Sequence, residues 1–185
     1  MSQRPCRAAS VRPAVFSFLF IALACVVTQA QATPLVDKQN EWAFAVSWTD
    51  VNDFGSTTNL DGDWQWILTP KGRHEIGARL SYLKVDPDDG GSTDAMILGP
   101  LYTFNWFPDK PVTGYVSGFL GFVSGDLGDF VDNAVEGDVG AKMFVGDSAA
   151  VRFEFFVQKL IGADDFDDQD SHGIRIGLSI FTGKK

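Results

Sequence analysis

The sequence predicts an all-β fold, namely an eight-stranded antiparallel up-and-down transmembrane β-barrel. After residue 32, no segment has a convincing helical period or a long apolar run. Eight segments instead alternate apolar and polar residues with the period of two that is typical of strands, and turn-rich breaks separate them. Each segment is long enough for a tilted membrane crossing, which takes about 9–11 residues per strand. Eight is also the smallest strand number of this class of barrel.

The first 32 residues have the features of a secretory signal peptide. Three arginines precede an apolar core at residues 14–27, which is too short to span a bilayer comfortably. Ala30-Gln31-Ala32 then supplies the small-x-small pattern that signal peptidase recognises. The alternative is a lipoprotein processed at Cys25, which lies in a poor lipobox. The sequence therefore predicts an exported protein whose barrel domain covers residues 33–185.

The predicted mature chain has 153 residues, which suit one domain. Both cysteines of the sequence lie within the signal, so a secreted domain held together by disulfides is excluded. Loss of the signal removes three arginines and no acids, which leaves 12 Lys and Arg against 24 Asp and Glu and a formal charge of −12. We therefore expect no nucleic-acid partner, because binding to phosphates needs a basic surface.

The predicted strands follow one another with breaks that differ in length and chemistry. The strands cover residues 41–50, 60–69, 75–85, 95–107, 112–124, 135–145, 149–161 and 172–182. Three breaks are short, and two of them are basic: residues 70–74, 108–111 and 146–148. The other four are longer and acidic: residues 49–59, 86–94, 125–133 and 163–171. This alternation is typical of outer-membrane barrels, which have short periplasmic turns and longer outer loops.

The strands in which the alternation is clear each have one apolar face and one polar face. In strand order, the apolar faces carry Trp42, Phe44, Val46 and Trp48; Trp64, Trp66 and Leu68; Ile76, Ala78, Leu80 and Tyr82; Met96, Leu98, Pro100, Tyr102, Phe104 and Trp106; Val151, Phe153, Phe155 and Val157; and Ile174, Ile176, Leu178 and Ile180. The opposite faces carry Gly, Ala, Ser and Thr together with a few ions, which are Arg79, Arg152, Arg175, Glu75, Glu136, Asp138 and Glu154.

The apolar faces are expected to point outward, towards lipid. An eight-stranded lumen is barely wide enough for ordinary side chains, so five tryptophans and many large aliphatic residues do not fit inside it. The opposite orientation places arginines in lipid at about 2–4 kcal/mol each near the midplane. With the apolar faces outward, opposite charges pair in the lumen, and several tryptophans lie near strand ends, as an interfacial aromatic belt requires.

A secreted soluble β-barrel that binds an apolar ligand is the alternative from outside the membrane. In such a barrel the charged face meets water and the apolar face packs inside. This alternative explains Arg152 and Glu154 equally well. It accounts poorly for Gly, Ala and Ser on a face that meets water and for the excess of tryptophan on the packed face.

The pattern of the whole predicted mature chain resembles the opacity-protein and OmpA/OmpX-like family of outer-membrane β-barrels. "GAKMFVGDSAAVRFEF" (140–155) resembles the family's sixth strand, tight turn and seventh strand, with an inward Arg and Glu. "GPLYTFNWFP" (99–108) and "GIRIGLSIF" (173–181) are similar to its fourth and last strands. The resemblance implies insertion by the outer-membrane assembly machinery. We expect a bacterial outer-membrane location, with outer-membrane lipids and lipopolysaccharide as partners. Family members often end on an aromatic residue, whereas residues 182–185 extend this chain beyond Phe181.

No catalytic, cofactor-binding or metal-binding residue is predicted. The luminal ions are expected to form a network that fixes strand register and fills the core, because eight strands leave no aqueous channel. The alternative is that these ions line a transport path. The enzyme alternative is a lipid A-modifying acyl hydrolase or transferase that uses His172. Asp170, Ser171 and His172 cannot all point at one substrate, because neighbours on a strand face opposite ways. His74, the second histidine, is assigned to a periplasmic turn.

The acidic breaks carry the remaining signal. Five aspartates lie within residues 164–170, and four more lie within residues 86–94. Their spacing does not fit an EF-hand, which needs a central Gly and a terminal Glu. We expect solvated, mutually repulsive loops, with weak binding of divalent cations at a lipopolysaccharide surface as the sharper alternative. The sequence thus predicts a structural, membrane-stabilising or surface-interaction role without a large pore.

Overall fold

The computed structural model describes residues 35, 39–51, 55–68, 72–86, 91–162 and 168–183. The eight strands are β1 (Asn40–Val51), β2 (Gly55–Ile67), β3 (His74–Asp86), β4 (Thr93–Trp106), β5 (Val112–Gly125), β6 (Val131–Gly146), β7 (Ala149–Gly162) and β8 (Gln169–Thr182). One short 3₁₀ helix, Asp126–Asp129, follows β5. The predicted signal peptide (1–32) and the alternative lipidation site at Cys25 lie outside the described residues.

The strands form one closed barrel. Each strand pairs antiparallel with the next along the chain, and β8 pairs antiparallel with β1 to close the sheet. The closing register runs from Asn40 opposite Thr182 to Ser47 opposite Arg175. The predicted eight-stranded up-and-down topology is therefore confirmed. Among the described residues, no helix is long and apolar enough to cross a membrane.

The two ends of the barrel differ in their connections. We call one end of the barrel the turn end. It contains the β2–β3, β4–β5 and β6–β7 connections, the start of β1 and the end of β8. The opposite end is the loop end. At the loop end, β2 begins at Gly55 rather than at residue 60, and β1 continues to Val51, so only residues 52–54 separate them. β6 and β8 also begin earlier than predicted, at Val131 and Gln169. The predicted long breaks are therefore shorter than expected, because a ladder needs only backbone groups and continues through polar residues.

The outward faces are apolar. Trp48 is 64% exposed and Phe122 is 70% exposed, and all five tryptophans belong to the exposed set. Trp42, Trp64 and Trp66 lie towards the turn end of β1 and β2, and the rings of Trp42 and Trp64 are 6.4 Å apart. Large side chains exposed in this way need an apolar medium around the barrel. The orientation with charges inside is therefore correct, and the alternative with an apolar interior is wrong.

The interior holds apolar clusters on either side of a charged middle. At the turn end, a buried cluster closes the barrel, formed by Leu35, Ile67, Phe144, Ala150 and Phe181. Leu35 donates its N–H to the Pro108 carbonyl at 3.1 Å and packs on Gly72. Gly72 has φ +64°, and a Cβ there would lie 2.2 Å from the Leu35 Cβ, so both the backbone and the space favour glycine. Towards the loop end, a second cluster contains Ile97, Leu101, Phe119 and Ala134.

Candidate functional site

The candidate site is a charge network between the two apolar clusters. Alternation along the strands directs every second side chain inward, and these positions carry four cations and seven carboxylates among the described residues. They are Arg79, Lys142, Arg152, Arg175, Glu41, Asp61, Asp63, Glu75, Glu136, Asp138 and Glu154. None of these residues is more than 4% exposed. Buried charges at this density are stable only when they are paired and hydrogen-bonded.

Arg79 connects β3 to the strands on both sides of the lumen. Its Nε and Nη2 donate to the two carboxylate oxygens of Asp63 at 2.7 and 3.1 Å, the two-pronged geometry that matches guanidinium to carboxylate. Its Nη1 contacts Glu136 and lies 3.2 Å from Asp138, both on β6. The guanidinium also lies over the Phe119 ring, 5.6 Å from its centroid. Arg79 therefore ties β2, β3 and β6 together across the interior.

Arg175 holds a similar position on β8. Its Nε lies 2.7 Å from Asp61 on β2, and its two terminal nitrogens donate to the two oxygens of Glu136 at 3.0 Å each. Glu154 on β7 lies 3.3 Å from the Arg175 Nη1. The guanidinium stacks on Phe156 at 4.5 Å. Arg175 on β8 thus joins four strands, because its partners lie on β2, β6 and β7.

Arg152 completes the middle of the network. Its Nη1 donates to Asp63 at 3.0 Å, its Nη2 lies 2.5 Å from Glu154, and its Nε donates to the Tyr115 hydroxyl at 3.2 Å. Arg152 and Glu154, both predicted to be luminal, therefore pair with each other, although the two residues lie on one strand. A Cβ at Gly140 would lie 2.7 Å from the Tyr115 hydroxyl, so the small residue there leaves room for the tyrosine.

Lys142 lies nearer the turn end with its own pair of carboxylates. Its ammonium contacts Glu41 and lies 3.0 Å from both oxygens of Glu75. Ser179 donates to Glu41 at 2.5 Å, and Asn105 donates to Glu75 at 2.6 Å. Two glutamates thus share one lysine, with neutral donors occupying other carboxylate oxygens.

The sequence predicted part of this network. All seven predicted luminal ions lie in it, whereas Glu41, Asp61 and Lys142 were missed. Asp63 belongs to the predicted polar face of its strand but was not named among the luminal ions. The signal for them was present in the alternation. Glu41 lies on the same strand face as Ala43, Asp61 and Asp63 on the same face as Gln65, and Lys142 on the same face as Asp138. These reference residues all face the lumen. Alternation applied to every residue of the predicted strands would have found all four.

The two histidines lie on the outward side of the barrel. His172 is exposed, and its ring centroid is 6.4 Å from that of Phe155. Ser171 instead lines a cavity at the loop end, so the structure does not bring the two side chains together as a hydrolase site requires. His74 is the first residue of β3 rather than a turn residue. Its Nδ1 lies 2.6 Å from the Tyr102 hydroxyl, within the aromatic surface of the turn end.

Acidic side chains lie at the loop end. Of the aspartates at 164–170, Asp168 and Asp170 are described, and the others lie outside the described residues. Lys159 lies 2.8 Å from Asp168, and hydrogen bonds from Lys159 and the Gly162 N–H lower the pKa of that carboxyl. Within the described ranges, no group of three or more His, Cys, Asp or Glu residues is arranged to hold a metal ion. Lys84 and Asp86 form a further exposed pair at 2.8 Å.

Comparison with known proteins supports the fold. No family model and no curated protein matches the sequence. A de novo designed transmembrane β-barrel is similar in structure, with a TM-score of 0.53, 12% identity and coverage of 81% of this chain and 100% of that chain. The N-terminal β-barrel domain of Pseudomonas aeruginosa OprF is also similar, with a TM-score of 0.54, 10% identity and coverage of 80% and 100%. Neisserial surface protein A gives a TM-score of 0.48 at 13% identity over 77% and 94%.

The first two likenesses agree with the closed eight-stranded architecture, and the exposed apolar faces show what surrounds it. The chain is a transmembrane β-barrel. At 10–12% identity the likeness extends to the fold alone, so the charge network and the loop end must be interpreted from this chain's own residues.

We predict that this transmembrane barrel forms no open pore. Paired ions fill the middle of the lumen, and the apolar cluster around Leu35 and Phe144 closes the turn end. Planar-bilayer recordings of the refolded chain should therefore show little or no steady conductance above that of lipid alone. Large, steady currents of the porin type from the wild type would contradict a filled interior.

Proposed function

We propose that this chain is a small integral outer-membrane β-barrel protein of a Gram-negative bacterium, with a structural, membrane-stabilising or surface-interaction role. The observation that carries the proposal is the inverted arrangement of side chains. Charges that belong on the surface of a soluble protein are buried here, and the large apolar side chains are exposed. Only a medium that is itself apolar makes this arrangement stable. Because the lumen is filled with side chains, it supports a role other than the transport of solutes through an open channel.

The orientation follows from the two ends. The turn end exposes Arg73 and Lys110 together with two acids, Asp109 and Asp147, whereas the loop end exposes Asp129, Asp132 and Asp170 among other acids. We place the turn end in the periplasm and the loop end outside the cell, in keeping with the usual topology of bacterial barrels. The signal-like residues 1–32 support export, and the resemblance to the opacity-protein and OmpA/OmpX-like family supports insertion by the outer-membrane assembly machinery.

Lipopolysaccharide and the other lipids of the outer membrane are the partners that this orientation supports. In this proposal, divalent cations act as mobile counterions that bridge the acidic loop end to anionic lipid. An enzymatic role receives no support from the geometry, because His172 and Ser171 do not converge.

The proposal is tested by the dependence of folding on an amphiphile. We expect the chain purified from inclusion bodies to gain its β-sheet signal only with detergent or lipid. Unboiled samples should then migrate differently from boiled samples on a gel, because the closed hydrogen-bonded barrel resists the gel detergent. The chain expressed with residues 1–32 should appear in the outer-membrane fraction. Folding to a soluble monomer in plain buffer would refute the membrane assignment.

A further inference from the structure

A cavity of about 240 Å³ opens at the loop end of the barrel. It lies between residues of β1, β2 and β3 on one side and β7 and β8 on the other. Across the lumen, the cluster of Ile97, Leu101, Phe119 and Ala134 fills the corresponding space under β4, β5 and β6. The described part of the loop end is therefore filled on one side and hollow on the other.

The cavity has apolar walls and a polar floor. Leu83, Val85 and Phe156 supply apolar surface. Asn59 and Gln158 are buried beside them, and Gln158 donates its Nε2 to Glu136 of the charge network at 3.1 Å. Asn59 is 4% exposed, and its Oδ1 has no hydrogen-bond partner among the described residues. A buried acceptor without a donor is unfavourable. A ligand that donates an N–H to the Asn59 Oδ1 would therefore remove this energetic cost when it binds.

The charges around the cavity favour a cation. Neither Lys, Arg nor His is among its described lining residues, and Asp170 lies at its mouth. Beneath it, the part of the network that excludes the Lys142 group has five carboxylates and three arginines, a formal excess of two negative charges. Arg175, which stacks on Phe156, is already paired with Asp61, Glu136 and two further carboxylates. An anionic ligand would therefore meet net negative charge from both sides, whereas a cation would relieve it.

We propose that this cavity binds a small organic cation, namely a protonated primary amine on a short apolar chain. The ammonium donates to the Asn59 Oδ1 and to the hydroxyls of Ser47 or Thr57, which also line the cavity. The apolar chain lies against Leu83 and Phe156. Three features then contribute separately: an acceptor without a donor, negative potential and apolar walls. Most small-molecule sites combine apolar walls with a few placed polar groups in this way.

The test is an NMR titration of the folded chain in detergent micelles at pH 7. The probes are n-butylammonium, n-butanol and butyrate, which have four carbon atoms each and differ in charge. We expect saturable shifts of the Asn59 and Leu83 signals with butylammonium, at least tenfold weaker binding of butanol, and no saturable shift with butyrate. Equal binding of butanol, or preferred binding of butyrate, would overturn the proposal, as would the absence of a saturable shift with butylammonium.

Variants identify the cavity as the binding site. Asn59→Leu should weaken butylammonium binding at least tenfold, and Leu83→Trp should abolish it by filling the space. Asn133→Leu is the matched control, because it makes the same replacement at the loop end of β6 and does not line the cavity. Retained heat-modifiable migration shows that each variant is folded. Unchanged binding by a folded Leu83→Trp variant would also overturn the proposal.

Discussion

Replacement of Arg175 by methionine should destabilise the folded barrel by about 3–5 kcal/mol, the range for removing one partner of a buried ion pair. Arg175 is completely buried, and its guanidinium contacts Asp61, Glu136 and Glu154 on three other strands. The substitution leaves these carboxylates buried in a network that already has more acids than bases. Urea titration of the chain in lipid vesicles, followed by the folded band of unboiled samples, measures the change in the free energy of unfolding.

Matched variants separate this effect from the loss of any positive charge. Lys84→Met removes a cation that pairs with Asp86 in an exposed position, so little change in stability is expected. Arg175→Lys keeps the charge but loses the two-pronged contact with Glu136, and it should fall between methionine and the wild type. The double variant Arg175→Met/Glu136→Gln should be less destabilised than the sum of the two single changes, because both act on one network. Equal effects of Arg175→Met and Lys84→Met would contradict the structural role of the network.

The membrane-crossing middle of the fold was predictable because alternation is local. Every second residue of a strand shares a face, and the faces of β3 and β4 differ so strongly in polarity that their direction follows from a few side chains. The loop end was less predictable. Residues 55–59, "GSTTN", contain no apolar residue, so they have no visible period, although backbone pairing continues through them. Ladder hydrogen bonds do not depend on side-chain polarity, so β2 begins at Gly55, five residues before the alternating segment that predicted it.

The pairing inside the lumen could not be obtained from the sequence. Lys142 contacts Glu41, which is 101 residues away along the chain. Which inward side chains meet across a barrel depends on the stagger and tilt of the strands, and periodicity along one strand carries neither quantity. The buried position of Leu35 was also unpredictable, since it precedes β1 and belongs to no alternating segment. Parity therefore predicts which side chains enter the lumen, and the three-dimensional register decides their partners.

Replacement of Leu80 by arginine should lower the stability of the barrel in a bilayer by about 2–4 kcal/mol, the cost of a basic side chain on the lipid face near the midplane. Leu80 lies at the midpoint of β3, is exposed on the outward face, and pairs with Gly62 on β2 and Leu98 on β4. It contacts none of the luminal ions in the described hydrogen bonds and ion pairs, so the cost comes from the medium outside the barrel. The same urea titration in vesicles measures it.

Leu68→Arg is the matched control, because it makes the same replacement at a position of similar exposure. Leu68 is 47% exposed and Leu80 is 43% exposed, but Leu68 directly follows β2 at the turn end. An arginine there reaches the polar headgroups, and the expected cost falls to about 0–1 kcal/mol. On a protein surrounded by water, both arginines would be solvated and neither would cost much. The difference between the two variants therefore reports the apolar medium itself, and equal stabilities would mean that the outward face of β3 does not lie in a bilayer.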